Sequence, residues 1–350
     1  MLDPKESAED AGLKYVSDKD HGYLRKRRGK GFSYLEENSG KQIKDKKILN
    51  RIKSLVIPPA WEDVWICHYP NGHLQVTGRD VKKRKQYRYH EKWSVHRNVT
   101  KFTQMVDLGE SLPILRNRIE ADLKLPGLPQ DKVLAAVIKV MLITQSRVGN
   151  AAYAEENESY GLTTILNDHA EVKGPRVHLI FRGKSGVDHD ISFVDAQLSR
   201  IISRCQDLPE EELFACLDSE GNAHDITSGH VNDYLKRVTG KDFTAKDLRT
   251  WGGTCKALEV LIQKGPAVGN LKESHWKKRH LGVIRETATH LKNTVSVCRK
   301  YYINPLVFAA DQDGTLHFKW KSCKSSKTMT REEKLLMWLL TEGFDKEAVA

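Results

Sequence analysis

The spacing of hydrophobic and polar positions changes once along the 350-residue chain, at about residue 100. Before that point, short segments with apolar residues at alternate positions are separated by turn residues, a pattern typical of β-strands. The clearest pair, residues 65–69 and 74–77, flanks Asn71-Gly72, and Asn-Gly favours a tight hairpin turn. A helix is predicted at residues 45–54. We therefore expect residues 1–93 to form a small β-rich domain.

After residue 100, apolar positions recur at intervals of three and four, which indicates amphipathic helices. Two segments between these helices, residues 176–181 and 188–193, instead have apolar residues at alternate positions. They predict a β-hairpin with Lys184 at its tip. The predicted helices lie at residues 112–123, 132–144, 195–205, 228–238 and 245–263.

Residues 100–350 are thus predicted to form a second, mostly helical domain that contains one β-hairpin. Its C-terminal tail, from about residue 312, includes a predicted helix at residues 330–340, where Thr330 and Glu333 have the spacing of a capping box. The sequence assigns no function to this tail. The predicted fold class is α+β, with a small β-rich N-terminal domain followed by a mostly α-helical one.

Charge points to a nucleic-acid partner. The 57 lysines and arginines exceed the 46 acidic residues and give a net charge of +11. The charge is also clustered, although a run of like charge is often only a solvated surface. The candidate DNA-binding cations are Arg79, Lys82, Lys83, Lys85 and Arg88.

Aromatic residues are interleaved with the last of these cations. A strand here would carry Tyr87 and Tyr89 on one face and Gln86 and Arg88 on the other. Such a ribbon could enter the major groove of DNA. The alternative, that the two tyrosines belong to a hydrophobic core, remains open at this point.

Other features of the sequence suggest neither a cofactor nor a membrane. The six cysteines include no Cys-x-x-Cys pair, so neither a zinc site nor a disulfide framework is indicated, and we expect no metal or cofactor. No segment approaches a transmembrane span, and the first residues lack the apolar stretch of a signal peptide. A cytoplasmic, nucleoid-associated protein is expected.

Six residues from five separated segments are suited to breaking a phosphodiester without a metal. That reaction needs a nucleophile, fixed cations for the transition state and an acid for the leaving oxygen. Tyrosine is a weak nucleophile at its ordinary pKa of about 10, and a neighbouring guanidinium would stabilise its phenolate form. Arginine also matches two phosphate oxygens with its planar fork. The six residues are Arg147, Lys184, Lys246, Arg249, Asn293 and Tyr302.

In this order, the six residues resemble the catalytic set of the type IB DNA topoisomerases, in the compact form shared by poxviruses and many bacteria. The resemblance extends from about residue 12 to about residue 308. It includes the segments Ile57-Pro58-Pro59-Ala60-Trp61, Gly78-Arg79-Asp80, Gln86-Tyr87-Arg88-Tyr89-His90, Ser146-Arg147-Val148-Gly149-Asn150 and Lys246-Asp247-Leu248-Arg249-Thr250-Trp251.

The resemblance implies a reaction and a role for each residue. In that family a tyrosine forms a 3′-phosphotyrosyl link, the cut strand rotates, and the freed 5′-hydroxyl reverses the cut without ATP. It implies that Tyr302 is the nucleophile, that Arg147 and Arg249 hold the transition state, and that Lys184 is the general acid, with Lys246 assisting at the phosphate. It also implies DNA contacts for Gln86, Tyr87 and Tyr89, and suggests a monomer that clamps double-stranded DNA.

The chain departs from the viral pattern at one position. Viral relatives have a histidine nine residues before the tyrosine, and this chain has Asn293 there. An amide can donate a hydrogen bond to phosphate but cannot shuttle a proton, so the pH response should differ. Tyr301 is a second candidate nucleophile, pointing about 100° away from Tyr302 on a helix. The spacing from Asn293 and the following Ile303-Asn304-Pro305 favour Tyr302.

Two other functions fit part of the pattern. A tyrosine recombinase or integrase uses the same nucleophile, but typically has His-x-x-Arg where this chain has Lys246-Asp247-Leu248-Arg249, and usually a helical N-terminal arm. A non-enzymatic basic DNA-binding protein would explain the charge but not the ordered catalytic set.

Overall fold

The computed structural model describes residues 4–29, 31–267 and 271–343, so the last seven residues of the predicted tail lie outside the described part. The chain forms two compact units, residues 1–102 and 103–350. Among the described residues, no helix combines the length and the apolar character needed to cross a bilayer.

The first unit is built on one antiparallel sheet of five strands in the order β2-β1-β3-β4-β5. β3 and β4 form the hairpin predicted around Asn71-Gly72. Side chains of the sheet and of helix α2 share a core that includes Tyr23, Ile52 and Ile66. The elements are α1 (Pro4–Asp10), β1 (Gly22–Arg28), β2 (Gly31–Glu36), α2 (Lys46–Ser54), β3 (Glu62–Cys67), β4 (Leu74–Arg79) and β5 (Lys85–Tyr89).

The second unit is mostly helical, and the chain enters it within helix α3. The helices are α3 (Glu91–Asp122), α4 (Gln130–Thr144), α5 (Ala151–Asn157), α6 (Ala196–Gln206), α7 (Ser228–Thr239), α8 (Ala245–Lys264), α9 (Glu273–His290), α10 (Val295–Tyr301), α11 (Leu306–Gln312), α12 (Thr315–Trp320) and α13 (Arg331–Thr341). A three-stranded antiparallel sheet consists of β6 (Ala170–Lys173), β7 (Arg176–Gly183) and β8 (Val187–Val194), and a two-stranded one of β9 (Ala215–Leu217) and β10 (Ala223–Asp225).

The predicted fold class is confirmed, and most elements lie where the pattern indicated. β7 and β8 pair from Arg176–Val194 to Gly183–Val187, so Lys184 begins the turn of the predicted hairpin. The predicted helix at residues 112–123 is only the C-terminal part of α3, and α9 was not predicted. The first half of α9, Glu-Ser-His-Trp-Lys-Lys-Arg-His, is almost entirely polar and so lacks the apolar stripe on which such predictions depend.

Candidate active site

A cavity of about 480 Å³ in the second unit brings together residues from five separate segments of the chain. Five of the six predicted catalytic residues line it: Arg147, Lys184, Lys246, Arg249 and Tyr302. Asn293 is not among the lining residues, but its side-chain oxygen accepts a hydrogen bond from Arg147 Nη2. The structure therefore assembles all six predicted residues around one place.

Local structure explains how each side chain arrives there. Arg147 follows the end of α4, where Gln145 adopts a left-handed conformation with φ of 55° and turns the chain. The turn that Lys184 begins is tight because Ser185 and Gly186 both have positive φ, 65° and 73°. Lys246 and Arg249 are three residues apart in the first turns of α8 and so share one face of that helix.

Arg249 is the most buried of the charged residues that line the cavity, with 3% of its surface exposed. Its Nη1 donates to the carbonyl of Gln145 and its Nη2 to the carbonyl of Leu291 at 3.0 Å. Its guanidinium carbon lies 5.5 Å from the ring centre of Tyr302, close enough for its charge to act on the phenol. Arg249 is thus fixed between two loops with the tyrosine beside it.

Arg147 is also held by hydrogen bonds, in its case to the loop between α9 and α10. Its Nη2 donates to the carbonyl of Lys292 at 3.2 Å, in addition to Asn293. Three buried donors at this point have no hydrogen-bond partner among the described residues: Arg147 Nη1, Arg249 Nε and Asn293 Nδ2. Unsatisfied buried donors are costly, and a polyatomic anion bound beside the two arginines would offer them acceptors.

The electrostatics of the two arginines also favour an anion. Burial lowers the pKa of Arg249 to about 10, and the nearby charge of Arg147 acts in the same direction. Burial likewise lowers the pKa of Arg147. Within the described ranges, no carboxylate forms an ion pair with either guanidinium. Two neighbouring cations, one buried and one half-buried, repel one another and gain from a shared anion, and a phosphodiester supplies one.

The structure distinguishes the two adjacent tyrosines. Tyr302 lines the cavity and is 9% exposed, whereas Tyr301 is 36% exposed and does not line it. Helix α8 packs directly against the backbone of Tyr302: a Cβ on Gly253 would lie 2.7 Å from the Tyr302 carbonyl oxygen. Thr254 Oγ1 donates to the same carbonyl at 3.3 Å. Only a glycine at position 253 permits this approach.

The two lysines differ from the arginines in being exposed. The ammonium of Lys184 lies 5.6 Å from the ring centre of Tyr153, and that of Lys246 lies 5.9 Å from the ring centre of Tyr301. Both ammonium groups can therefore adjust to a bound strand. Sequence reasoning missed several polar residues that also line the cavity, and no local pattern distinguished them: Tyr153, Ser159 and Tyr160.

The predicted DNA-binding ribbon extends from Arg79 at the end of β4, through the turn that contains Lys82 and Lys83, to strand β5 at the edge of the five-stranded sheet. Tyr87 and Tyr89 are 49% and 46% exposed, and their rings stack with centres 6.1 Å apart. The alternative that they belong to the core is therefore wrong. Gln86 and Arg88 alternate with them and are half-buried. Gln86 Nε2 donates to Asp80 Oδ2 at 3.0 Å.

Carboxylates already accompany most cations of this ribbon. Lys85 pairs with Asp18 at 2.5 Å, Lys83 pairs with Glu62, and Arg79 lies 3.8 Å from Asp63. All of these pairs are at least partly exposed, where ion pairs are worth little and exchange readily. DNA phosphates can therefore replace the carboxylates. Lys82 is also exposed.

Comparison with known proteins agrees with this site. Residues 82–321, more than half of the chain, match the family described as "Eukaryotic DNA topoisomerase I, catalytic core", and residues 31–80 match "Bacterial DNA topoisomerase IB, N-terminal domain". The chain is 28% identical to DNA topoisomerase 1B of Acanthamoeba polyphaga mimivirus over 286 residues, which cover 81% of this chain and 85% of the relative. It is 24% identical to DNA topoisomerase 1B of vaccinia virus (strain Copenhagen) over 264 residues, covering 74% and 77%.

These matches decide between the functions that the sequence left open. The catalytic-core match begins before β5 and extends beyond Tyr302, so it includes every residue of the candidate site. A recombinase and a non-enzymatic DNA-binding protein are thereby set aside. This chain belongs to the type IB DNA topoisomerase family.

Proposed function

We propose that this topoisomerase relaxes supercoiled duplex DNA by cutting one strand in the cavity that Tyr302 lines, with Tyr302 as the nucleophile. The observation that carries the proposal is the pair of arginines beside the tyrosine, one buried and one half-buried. Arg147 and Arg249 have unpartnered donors and no carboxylate partner among the described residues, and the guanidinium of Arg249 lies 5.5 Å from the ring centre of Tyr302. One phosphodiester would satisfy the donors while lying next to the phenol.

The proposed chemistry is a transesterification. The Tyr302 oxygen attacks the phosphorus, the bond to the 5′-oxygen breaks, and a 3′-phosphotyrosyl link forms. Arg249 stabilises the phenolate as the phenol loses its proton to solvent. The freed 5′-hydroxyl later attacks the same phosphorus and restores the strand. Because one ester replaces another, the energy of the phosphodiester is retained and no ATP is needed.

The fixed cations replace a metal in this scheme. As the phosphorus becomes five-coordinate, its non-bridging oxygens gain charge, and the forks of Arg147 and Arg249 are held in advance to receive it. Asn293 adds an amide donor, since its oxygen is already occupied by Arg147. It contributes a hydrogen bond but no proton.

The lysines act on the remaining oxygens. Lys184, at the tip of the β7–β8 hairpin, protonates the departing 5′-oxygen. Lys246 lies on the same face of α8 as Arg249 and assists at the phosphate. A lysine suits the first role because its ammonium can give up a proton, whereas a guanidinium holds its own too tightly.

Outside the cavity, the proposal assigns the ribbon of β5 to duplex DNA. Its cations would contact phosphates, and Gln86, Tyr87 and Tyr89 would face a groove. We further propose that the protein acts as a monomer that clamps the duplex, and that it works in the cytoplasm on nucleoid DNA.

The nucleophile assignment is tested by trapping the covalent complex on a duplex from which the short downstream fragment, which carries the freed 5′-hydroxyl, dissociates after cutting. The Tyr302→Phe variant should bind DNA within severalfold of the wild type but form no adduct. Tyr301→Phe is the matched control, because it removes the same atom from the neighbouring residue, and it should still form the adduct. An adduct that disappears in Tyr301→Phe and persists in Tyr302→Phe would reject the assignment.

A further inference from the structure

Helix α13 lies beyond the matched catalytic core and contains a buried carboxylate, Glu333, which is 5% exposed. Its two oxygens accept two hydrogen bonds from Arg116, both at 2.7 Å. They also accept from the backbone N–H of Thr330 at 2.8 Å and from the indole N–H of Trp251 at 3.0 Å. Four donors thus converge on one carboxylate and join three helices: α3, α8 and α13.

This carboxylate differs from an ordinary helix cap. Thr330 and Glu333 do form the predicted capping box. A cap, however, needs only the bond to Thr330, and the same side chain is also committed to two other helices. Burial opposes its ionisation, yet the hydrogen bonds from Arg116 hold the pKa of Glu333 below its ordinary value. It is therefore a charged group fixed in the interior.

The partner of Glu333 on α8 lies on the back of the catalytic helix. Trp251 follows Arg249 by two residues, which places it about 200° around the helix from Arg249. The indole is buried, at 2% exposure. It packs so closely on α3 that a Cβ on Gly109 would lie 2.5 Å from its ring, and 2.1 Å from the sulfur of Met337 on α13. Helix α8 is thus held from behind by α3 and α13.

Helix α8 also provides much of the active site. It supplies Lys246 and Arg249, and its Gly253 and Thr254 contact the backbone carbonyl of Tyr302. Thr254 Oγ1 also accepts from the N–H of Asn304, two residues beyond Tyr302. A small rotation or shift of α8 would therefore displace the second arginine, the second lysine and the nucleophile's segment together.

We propose that Glu333 is a positioning residue for strand cleavage, and that it acts through Trp251 by fixing the placement of α8. Helix α13 then contributes to catalysis by positioning α8, although none of its residues contacts a reacting atom. This inference rests on the proposed roles of Arg249 and Tyr302. It predicts that loosening the contact slows chemistry without weakening DNA binding.

The test is single-turnover cleavage of a trapping duplex, in which the amplitude counts properly folded molecules and the rate constant reports the chemistry. Glu333→Gln keeps the shape of the side chain but loses the charge that holds Arg116. Trp251→Phe removes the indole donor. Each variant should retain a nearly full amplitude and wild-type DNA affinity, while the cleavage rate constant falls about 10-fold, as expected for a small misplacement of catalytic groups.

Two controls separate positioning from stability. Leu339→Ala truncates a buried side chain of α13 outside the carboxylate network and should lower the melting temperature but leave the cleavage rate constant unchanged. A substrate with 5′-bridging sulfur, which needs no acid for its leaving group, should not restore the rate of Glu333→Gln, because Lys184 is not on α8.

Three results would overturn the inference. The first is a reduced amplitude with a wild-type rate constant in Glu333→Gln, which would make the residue purely structural. The second is an equal loss of rate in Leu339→Ala. The third is rescue by the sulfur substrate. If instead Tyr302→Phe still formed the adduct in the same assay, the proposed function itself would fail, so the two failures are distinguishable.

Discussion

At the scale of single residues, Arg249 and Lys184 differ in burial, and this difference suits them to different roles in the site. Arg249 is buried and held by backbone carbonyls, so its donors cannot reorganise as charge develops. Lys184 is exposed at a hairpin tip and can follow the leaving oxygen. Fixed groups suit charge stabilisation, and a mobile ammonium suits proton transfer. The residue type suggested the role of Arg249 and the family resemblance implied that of Lys184, but the burial of both could be read only from the structure.

The acid role of Lys184 leads to a chemical rescue prediction. Lys184→Ala should slow cleavage of an ordinary phosphodiester by about 10²- to 10⁴-fold, the usual worth of a general acid. A duplex with sulfur in place of the 5′-bridging oxygen should recover much of that rate, since a thiolate leaves without a proton. Arg249→Ala is the comparison variant and should recover little. Equal rescue of both variants in single-turnover assays would reject the acid assignment.

The sequence predicted the candidate site almost completely, but it could not choose between Tyr301 and Tyr302 on physical grounds. Their spacing from Asn293 favoured Tyr302, and the close approach of Gly253 gives the physical reason for its place in the cavity. Three further residues that line the cavity were not predicted: Tyr153, Ser159 and Tyr160. The tertiary fold brings them there, and the hydrophobic pattern of the sequence does not show it. The roles of Gln86 and of the cations of β5 stay predictions.

At the scale of elements, strand β5 shows what an alternating pattern can and cannot predict. The alternation correctly separated the tyrosines from Gln86 and Arg88. It could not indicate which face is exposed, because both faces carry polar groups: Lys85 shares one with the tyrosines, and Gln86 and Arg88 form the other. Helix α9 is the opposite case: half of it lacks an apolar face, and it is stabilised by long-range contacts such as the ion pair of Arg279 with Asp311 at 2.7 Å.

The ribbon's cations lead to a prediction about salt. If Lys82, Lys83 and Lys85 neutralise phosphates, replacing all three by alanine should reduce the slope of log affinity against log salt by about 0.9 for each phosphate that is no longer neutralised. The chemical step of bound enzyme should be nearly unchanged.

A matched control for this variant removes three exposed or half-exposed lysines that also pair with carboxylates: Lys173, Lys236 and Lys264. The net charge falls equally, so any difference reflects the position of the ribbon. Filter binding at several salt concentrations gives the slopes. An unchanged slope together with slowed cleavage in the ribbon variant would show that β5 does not hold DNA as proposed.

At the scale of the whole molecule, a basic chain combines a sheet-based unit and a helical unit, and the helical unit contains the complete candidate site. The net charge of +11 predicted the class of partner but not the reaction. The reaction follows from one cavity that is lined by a tyrosine and two arginines. Because those cations are part of the protein, we expect strand cleavage and rejoining to need neither a metal nor a nucleotide.

Relaxation of plasmid DNA in EDTA, without ATP, tests that central claim most directly. The wild-type protein should relax both positively and negatively supercoiled plasmid under these conditions, and Tyr302→Phe should relax neither. Added magnesium should change the rate only modestly, by altering DNA binding and product release. A strict requirement for magnesium or ATP, or relaxation that survives in Tyr302→Phe, would contradict the proposed mechanism.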